Sequence, residues 1–210
     1  MRITLNILLI GAITVLFYMC YRSIMNVQEF DWEKERRDLA IQTRLIDIRK
    51  AQIEYKNFYG FHAGSFEDLA KFLNEDRLPF VRKEGSLTDE QLEKGMKEED
   101  AIKLGLISRD TTWVLAKDTL FYPGFDPMTL ANVPIEGVNA KFKMDTATIA
   151  SGAGYTVKVF EASVLYDTYL SDLDRQQLIN LKDRMAKMER FLGLRVGSVR
   201  EINNNAGNWE

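Results

Sequence analysis

The chain has 210 residues, 46% of them apolar and 28% charged, with a formal net charge of −3. That length suits one membrane anchor and one domain with its own core; Arg2 and Arg22 are the only charges before Ser23, so the remainder carries −5, a poor balance for a nucleic-acid partner. The single cysteine, Cys20, excludes an internal disulfide and any cysteine-built zinc site.

Ile3 to Tyr21 is an uncharged run of 19 residues, close to the roughly 20 that a helix needs to cross a hydrocarbon core. A secretory leader has an apolar core of about 7–15 residues and then a small-x-small cleavage site. Here the run is longer, and Tyr18-Met19-Cys20-Tyr21-Arg22 is bulky where a peptidase wants small side chains. A lipoprotein leader would end near Cys20, but Tyr18 and Met19 are again too large. The residues favour a retained helix with an unmodified cysteine over lipid attachment. Counting Arg22, Lys34, Arg36 and Arg37 against Arg2 and the terminal amine favours the C-terminal side as cytoplasmic. Asp31, Glu33 and Glu35 interleave with those cations, however, and long domains cross regardless of charge.

From Ala12 to Tyr59 there is neither Gly nor Pro. The membrane helix is therefore expected to continue unbroken into water and to end at Gly60, a rod of about 85 Å. Ile41, Leu45, Ile48, Gln52, Tyr55 and Tyr59 recur at alternating spacings of four and three, with Ile46 and Ile53 beside them. This stripe is too short and too broad for a coiled-coil seam, so packing on a sheet of the same chain is the preferred reading. Before residue 39 the pattern fades into "DWEKERRD", read as a solvated charge run.

"GSFEDLAKFL" predicts a short helix capped at Ser65, with Asp68 three residues on and Phe66, Leu69, Phe72 and Leu73 buried. Residues 82–100 are polar, with a capped helical turn expected at Thr88–Gln91, and "AIKLGLI" predicts another turn ending at Gly105. "TTWVLAKDTL" has strand composition. Pro123, Pro127 and Pro134 mark a long loop or edge segment. "VNAKFKMDTATI" and "YTVKVFEASV", joined by "ASGAG", predict an antiparallel hairpin with one wet face. Ser171 is the expected cap of a last helix carrying Leu178, Leu181, Met185, Met188 and Leu192 and stopped by Gly193. A short strand and a polar tail closed by Trp209 follow; that tail is either free, docked on the sheet or presented to a partner.

Few residues suggest chemistry. His62 is the only histidine, and a packed turn residue is the plainer reading than a base. Asp167, Asp172 and Asp174 lie close enough for calcium, but the Gly and terminal Glu of an EF-hand loop are missing, and capping explains two of them. No nucleophile-elbow, zincin, P-loop or dinucleotide motif occurs. The expectation is a non-enzyme with no cofactor, no metal and no small-molecule substrate.

"RLIDIRKAQIEYKNFYGFHAGSFEDLAKFL" resembles the helix-to-domain junction of type IV pilins and type II secretion pseudopilins, on Ala51, Tyr55, Tyr59-Gly60, Ser65 and Leu69. The detailed match covers about 30 residues. The chain lacks the family's short basic leader and the acidic residue of its membrane segment. The resemblance implies a pilin-like shape: an α+β fold in which the membrane helix is continuous with a long helix packed on a small antiparallel sheet, plus a C-terminal helix. The expected organisation is an anchor at 1–25, a helical extension at 26–59 and a head at 60–210. The expected role is a structural or scaffold subunit of an envelope assembly, or alternatively a membrane-tethered binding or sensory module. Its expected place is the inner membrane with the head outside the cytoplasm. Its partners are the lipid bilayer and other proteins or copies of itself, with Ile41, Leu45, Ile48, Tyr55, Tyr59 and Trp209 as the candidate structural or interaction residues.

Overall fold

The structure, a computed structural model, describes residues 2–85, 97, 102, 104, 106, 108–150 and 154–210. In chain order the elements are α1 (Arg2–Tyr59), α2 (Phe66–Glu75), β1 (Arg77–Glu84), β2 (Ser108–Leu115) and α3 (Ala116–Leu120). A 3-10 turn (Pro127–Ala131), β3 (Lys143–Ala150), β4 (Thr156–Leu165), α4 (Tyr166–Tyr169), α5 (Arg175–Lys187) and β5 (Gly193–Gly197) complete the α+β fold. The turn expected at Thr88–Gln91 lies outside the described residues, as do residues 101, 103, 105 and 107 of the turn expected at "AIKLGLI".

α1 is 58 residues long, about 87 Å at the ordinary helical rise. No proline interrupts its backbone ladder, and it stops at the first glycine after Gly11. Gly60 has φ +77° and donates its N–H to the Lys56 carbonyl at 2.7 Å. A side chain there would be strained, which is why glycine terminates helices in this way.

The chain divides into two compact units, Met1–Phe66 with Met128–Glu210, and Glu67–Pro127. Where the sequence suggested a single head at 60–210, α1 shares its unit with the C-terminal half of that segment.

In the first unit the sheet order is β3-β4-β5, antiparallel throughout. Met144, Ala162 and Val196 lie opposite one another and so share a face. That face meets α1, because Gln52 Nε2 reaches Met144 Sδ at 3.1 Å. Phe160, Ala162, Val164 and Val196 are buried there against the helix side of the sheet. The opposite face is only partly wet: it carries an exposed Lys143–Asp145 pair at 2.7 Å, whereas Val159 and Ser163 are buried and the Arg195–Glu161 pair at 3.4 Å is largely covered.

The last helix starts later than its serine suggested. Asp174, not Ser171, is the cap, its Oδ1 accepting from the Gln177 amide at 2.9 Å. The helix ends at Lys187, with Glu189 left-handed at φ +54°, so Gly193 opens β5 instead of stopping the helix. Leu178 and Leu181 are buried, whereas Met188 lies beyond the helix and is exposed. The tail is docked: the Gly197 amide donates to the Ala206 carbonyl and the Asn208 amide to the Arg195 carbonyl, both at 3.0 Å. This adds a strand-like edge to β5 and satisfies its outer backbone groups.

In the second unit β1 and β2 form a two-stranded ribbon from Arg77↔Leu115 to Glu84↔Ser108. Residues 82–84, placed by composition in the polar segment, are therefore strand. Backbone pairing with "SRDTTWVL" supplies what side-chain propensity does not, and Pro79 is tolerated because each strand has only one neighbour. The second half of "TTWVLAKDTL" turns helical as α3. The Ala116 amide donates to the Asp76 carbonyl at 2.9 Å, which closes the ribbon before the chain coils. In α2, Leu69, Phe72 and Leu73 are buried as expected, while Phe66 is half-buried.

Candidate functional site

The helix stripe divides into two environments. Ile41, Leu45, Ile48 and Gln52 have no exposed surface, and Tyr55 is buried too. Gln52 is the polar member, and it is fully used. Its Oε1 accepts from the Ala63 amide and its Nε2 donates to the Ala63 carbonyl, both at 3.0 Å. The side chain thereby fastens the turn after α1 to the helix body. Tyr59, the last of the series, is 43% exposed and belongs to a different cluster described below.

Towards the N-terminus the stripe does not fade. It changes chemistry. Phe30, Arg37 and Asp38 are buried, so half of the "DWEKERRD" run faces protein and not solvent. Arg37 makes a bidentate contact with Asp172, Nη1–Oδ1 at 2.6 Å and Nη2–Oδ2 at 2.7 Å. Its Nε donates to Glu33 at 2.7 Å and its Nη1 also to the Tyr169 carbonyl at 2.6 Å. Next to it, Asp38 accepts from the Tyr169 hydroxyl at 2.5 Å and from Lys34 at 2.6 Å. Lys34 Nζ also sits 5.8 Å from the centre of the Tyr166 ring. The carboxylates compensate these cations with short, charge-assisted bonds.

The titration behaviour follows. The hydrogen bond to Asp172 raises Arg37 further above its ordinary range, so it is always charged. Hydrogen bonds from Arg37 hold Asp172 low, and those from Arg36 and Arg37 do the same for Glu33. Burial first, and then the Asp38 carboxylate, push the Tyr169 phenol well above its usual value. This cluster fixes the segment just beyond the apolar stretch of α1 to the turn between α4 and α5. The three acids whose spacing would suit calcium each have a different partner: Lys182 for Asp167 at 2.8 Å, Arg37 for Asp172, and a helix amide for Asp174.

At the other end of α1 lies an aromatic cluster. Tyr55 and Tyr59 have ring centroids 4.7 Å apart, Phe58 and Tyr59 4.9 Å, and Tyr55 and Phe61 5.8 Å. Phe58, Tyr59 and Phe61 are each near 45% exposed. Two ammonium groups join them. Lys56 Nζ donates to the Lys158 carbonyl and Lys158 Nζ to the Gly60 carbonyl, both at 3.1 Å, and Lys158 lies 5.5 Å from the centre of Phe61. The C-terminal end of a helix is its negative pole, where cations are favoured.

His62 follows this cluster and is 4% exposed, its ring tilted at 47° against Phe160 with centroids 4.8 Å apart. Among the described residues neither ring nitrogen has a hydrogen-bond partner. Burial, reinforced by the Lys56 charge, lowers its pKa to about 4. It is a neutral packing residue at ordinary pH.

Trp209 is half-buried and its ring lies over Gly207, where an added β-carbon would come within 2.5 Å of the indole. Arg49 of α1 donates to the Glu210 carboxylate at 2.7 Å, tying the tail to the helix. The residues that composition and spacing missed are Arg37, Asp38, Tyr169 and Lys158, and Asp172, read there as a cap, is the partner of Arg37 instead. Only the first two had a signal, namely that Phe30, Lys34, Arg37, Asp38 and Ile41 continue the helix spacing of the stripe.

Compared with known proteins, the chain matches no family model, no curated protein and no solved structure.

Proposed function

We propose that the protein is a single-pass, membrane-anchored structural or scaffold subunit of an envelope assembly of the secretion or pilus-like kind. In this reading the anchor lies in the inner membrane and the folded units stand outside the cytoplasm. The carrying observation is the continuity of α1. Its apolar part has an 18-residue window of mean hydropathy 1.9, none of it buried against the rest of the chain. A core helix of that composition would be covered, so this surface calls for a bilayer or an equally apolar partner. The same helix then becomes the spine of the first unit through Ile41–Tyr55 and the Arg37 cluster. Cleavage near residue 20 would discard the apolar stretch but leave a helix whose first buried contact, Phe30, is only ten residues away, so a removable leader explains the continuity poorly. The pilin-like plan of a long helix laid on a small antiparallel sheet supports the same reading.

The test is photocrosslinking from Leu39, which is 65% exposed on α1, in native membranes. A defined crosslinked complex that resists alkaline extraction is expected. A chain that extracts as a soluble monomer without crosslinks would overturn the proposal. The exposed aromatic cluster favours a second reading, a membrane-tethered binding module.

A further inference from the structure

We propose that the end of α1 is a docking site for an acidic polypeptide segment, recognised by the Phe58, Tyr59 and Phe61 rings, backed by the buried Tyr55, together with the Lys56 and Lys158 ammonium groups. This deepens the reading above, on which it rests for the choice of a protein as partner.

Three observations carry it. First, the rings are contiguous and unusually open. Four aromatics fall within seven residues, and three remain nearly half-exposed although they touch one another. Folding alone gains little from aromatic surface left in water, whereas such surface is the commonest anchor at protein interfaces. Secondly, the charge at the patch is uncompensated. Among the described residues Lys56 and Lys158 have no carboxylate within ion-pair distance, and each engages a single backbone carbonyl. An ammonium has three N–H donors, so each keeps two for a ligand. Most cations along the same helix are instead neutralised within the chain: Lys34 by Asp38, Arg36 and Arg37 by Glu33, Arg49 by Glu210 and Lys50 by Asp47. Charge complementarity therefore selects an anion. Thirdly, the shape selects a peptide over a sugar. The rings meet at interplanar angles of 42°, 74° and 75°. A polysaccharide stacks on a flat, exposed ring face, and this cluster provides notches and ring edges. Ring edges are the positive part of an aromatic quadrupole, so they suit carboxylates as well.

The test uses the full-length protein in zwitterionic nanodiscs with three probes: a random glutamate–tyrosine copolymer, polygalacturonate, and a random lysine–tyrosine copolymer. The glutamate–tyrosine copolymer is expected to bind best, and raising the salt weakens that binding severalfold. The double variant Lys56→Gln/Lys158→Gln keeps a donor for each backbone carbonyl and removes only the charge. It is expected to bind at least about tenfold more weakly, a loss of about 1.4 kcal/mol. Phe58→Ser/Phe61→Ser is expected to do the same with the charges intact. Equal binding by wild type and the lysine variant overturns the proposal. So does a preference for polygalacturonate or for the cationic copolymer, or no binding by any probe. Failure here leaves crosslinking from Leu39 unaffected, and failure of that crosslinking with intact copolymer binding removes the scaffold reading alone.

Discussion

Arg37 donates four hydrogen bonds, to Glu33, Tyr169 and twice to Asp172, from a side chain that is almost fully enclosed. Taking away such a group leaves the buried Tyr169 carbonyl without its donor, while Glu33 keeps Arg36 and Asp172 keeps water. Arg37→Met is therefore expected to lower stability by about 1–3 kcal/mol. Asp172 is more than half exposed at its side chain, so water can replace it in part. Asp172→Asn should cost only about 1 kcal/mol, and chemical denaturation of the two variants measures the contrast. His62 makes a different prediction, about pH. Its folded-state pKa is depressed to about 4 from an ordinary 6.5. A depressed base binds its proton in the unfolded chain first. Its contribution is complete above pH 6.5 and is lost as the pH falls from there towards 4, by about 3 kcal/mol in all. Glu33 and Asp172 are held below their ordinary values of 4.5 and 3.8, so their losses come mainly below about pH 5. The interval from pH 6.5 to 5 therefore reports on the histidine. His62→Phe should flatten the stability curve in that interval, and an unchanged slope in denaturation midpoints would show that the ring is not the source.

At the scale of the element, α1 was the most legible part of the sequence, and also the place where a charge pattern misled. Ile41, Leu45, Ile48 and Tyr55 declare a buried face because a row of large apolar side chains at helical spacing is costly to leave in water. Arg37 and Asp38 occupy the same face, but charged residues are rarely buried, so their spacing was outweighed by their type. Nothing local could name Tyr169 and Asp172 as their partners, since that pairing spans more than 130 residues. The β3–β4 hairpin was visible from its alternation and its glycine-rich connection. The strand β1 was not, because Arg77–Glu84 mixes charges, a proline and three apolar residues without alternation, and it exists through its pairing with β2. Helix boundaries slipped at α5 for a related reason: Ser171 and Asp174 are both good caps, and Asp172 between them is held by Arg37 and not by the helix. Ile48 gives the element-scale prediction. It has no exposed surface and lies in the middle of the stripe. Ile48→Lys places a charge in the contact between α1 and the sheet, and the cooperative unfolding transition and near-UV circular dichroism are expected to disappear. Leu39→Lys, on an exposed side of the same helix, should stay within about 0.5 kcal/mol of wild type. If the two variants melted alike, the stripe would not be a core.

For the whole molecule the decisive property is that one helix belongs to two solvents. Its N-terminal part is apolar all round and uncovered, and its C-terminal part is amphipathic and packed. A helix apolar on every side needs an apolar surrounding, whereas an amphipathic one needs a single partner surface. Ordinary membrane proteins often separate such parts with a flexible linker. Here no glycine or proline occurs between Gly11 and Gly60 to provide one. The charged stretch that a linker would occupy is instead held, from Glu33 onward, by the Glu33–Arg37–Asp172 and Lys34–Asp38–Tyr169 contacts. In the proposed scaffold role, a tilt imposed on the apolar segment would reach the sheet along a helix that no glycine or proline interrupts. Cys20 makes this measurable, because it is the only cysteine and is exposed on the helix. With a second label at Leu39→Cys, an unbroken helix fixes the backbone separation at about 28 Å. Pulsed electron–electron resonance in nanodiscs should give one narrow distribution near that value. Arg37→Ala, which removes the main tether while keeping good helix propensity, should leave the mean in place and broaden the spread only slightly. Insertion of Gly-Pro-Gly after Gln28 should both shorten and broaden it. A broad distribution in the wild-type chain would mean that the anchor and the spine are hinged, and that the head is tethered to the membrane without being steered by it.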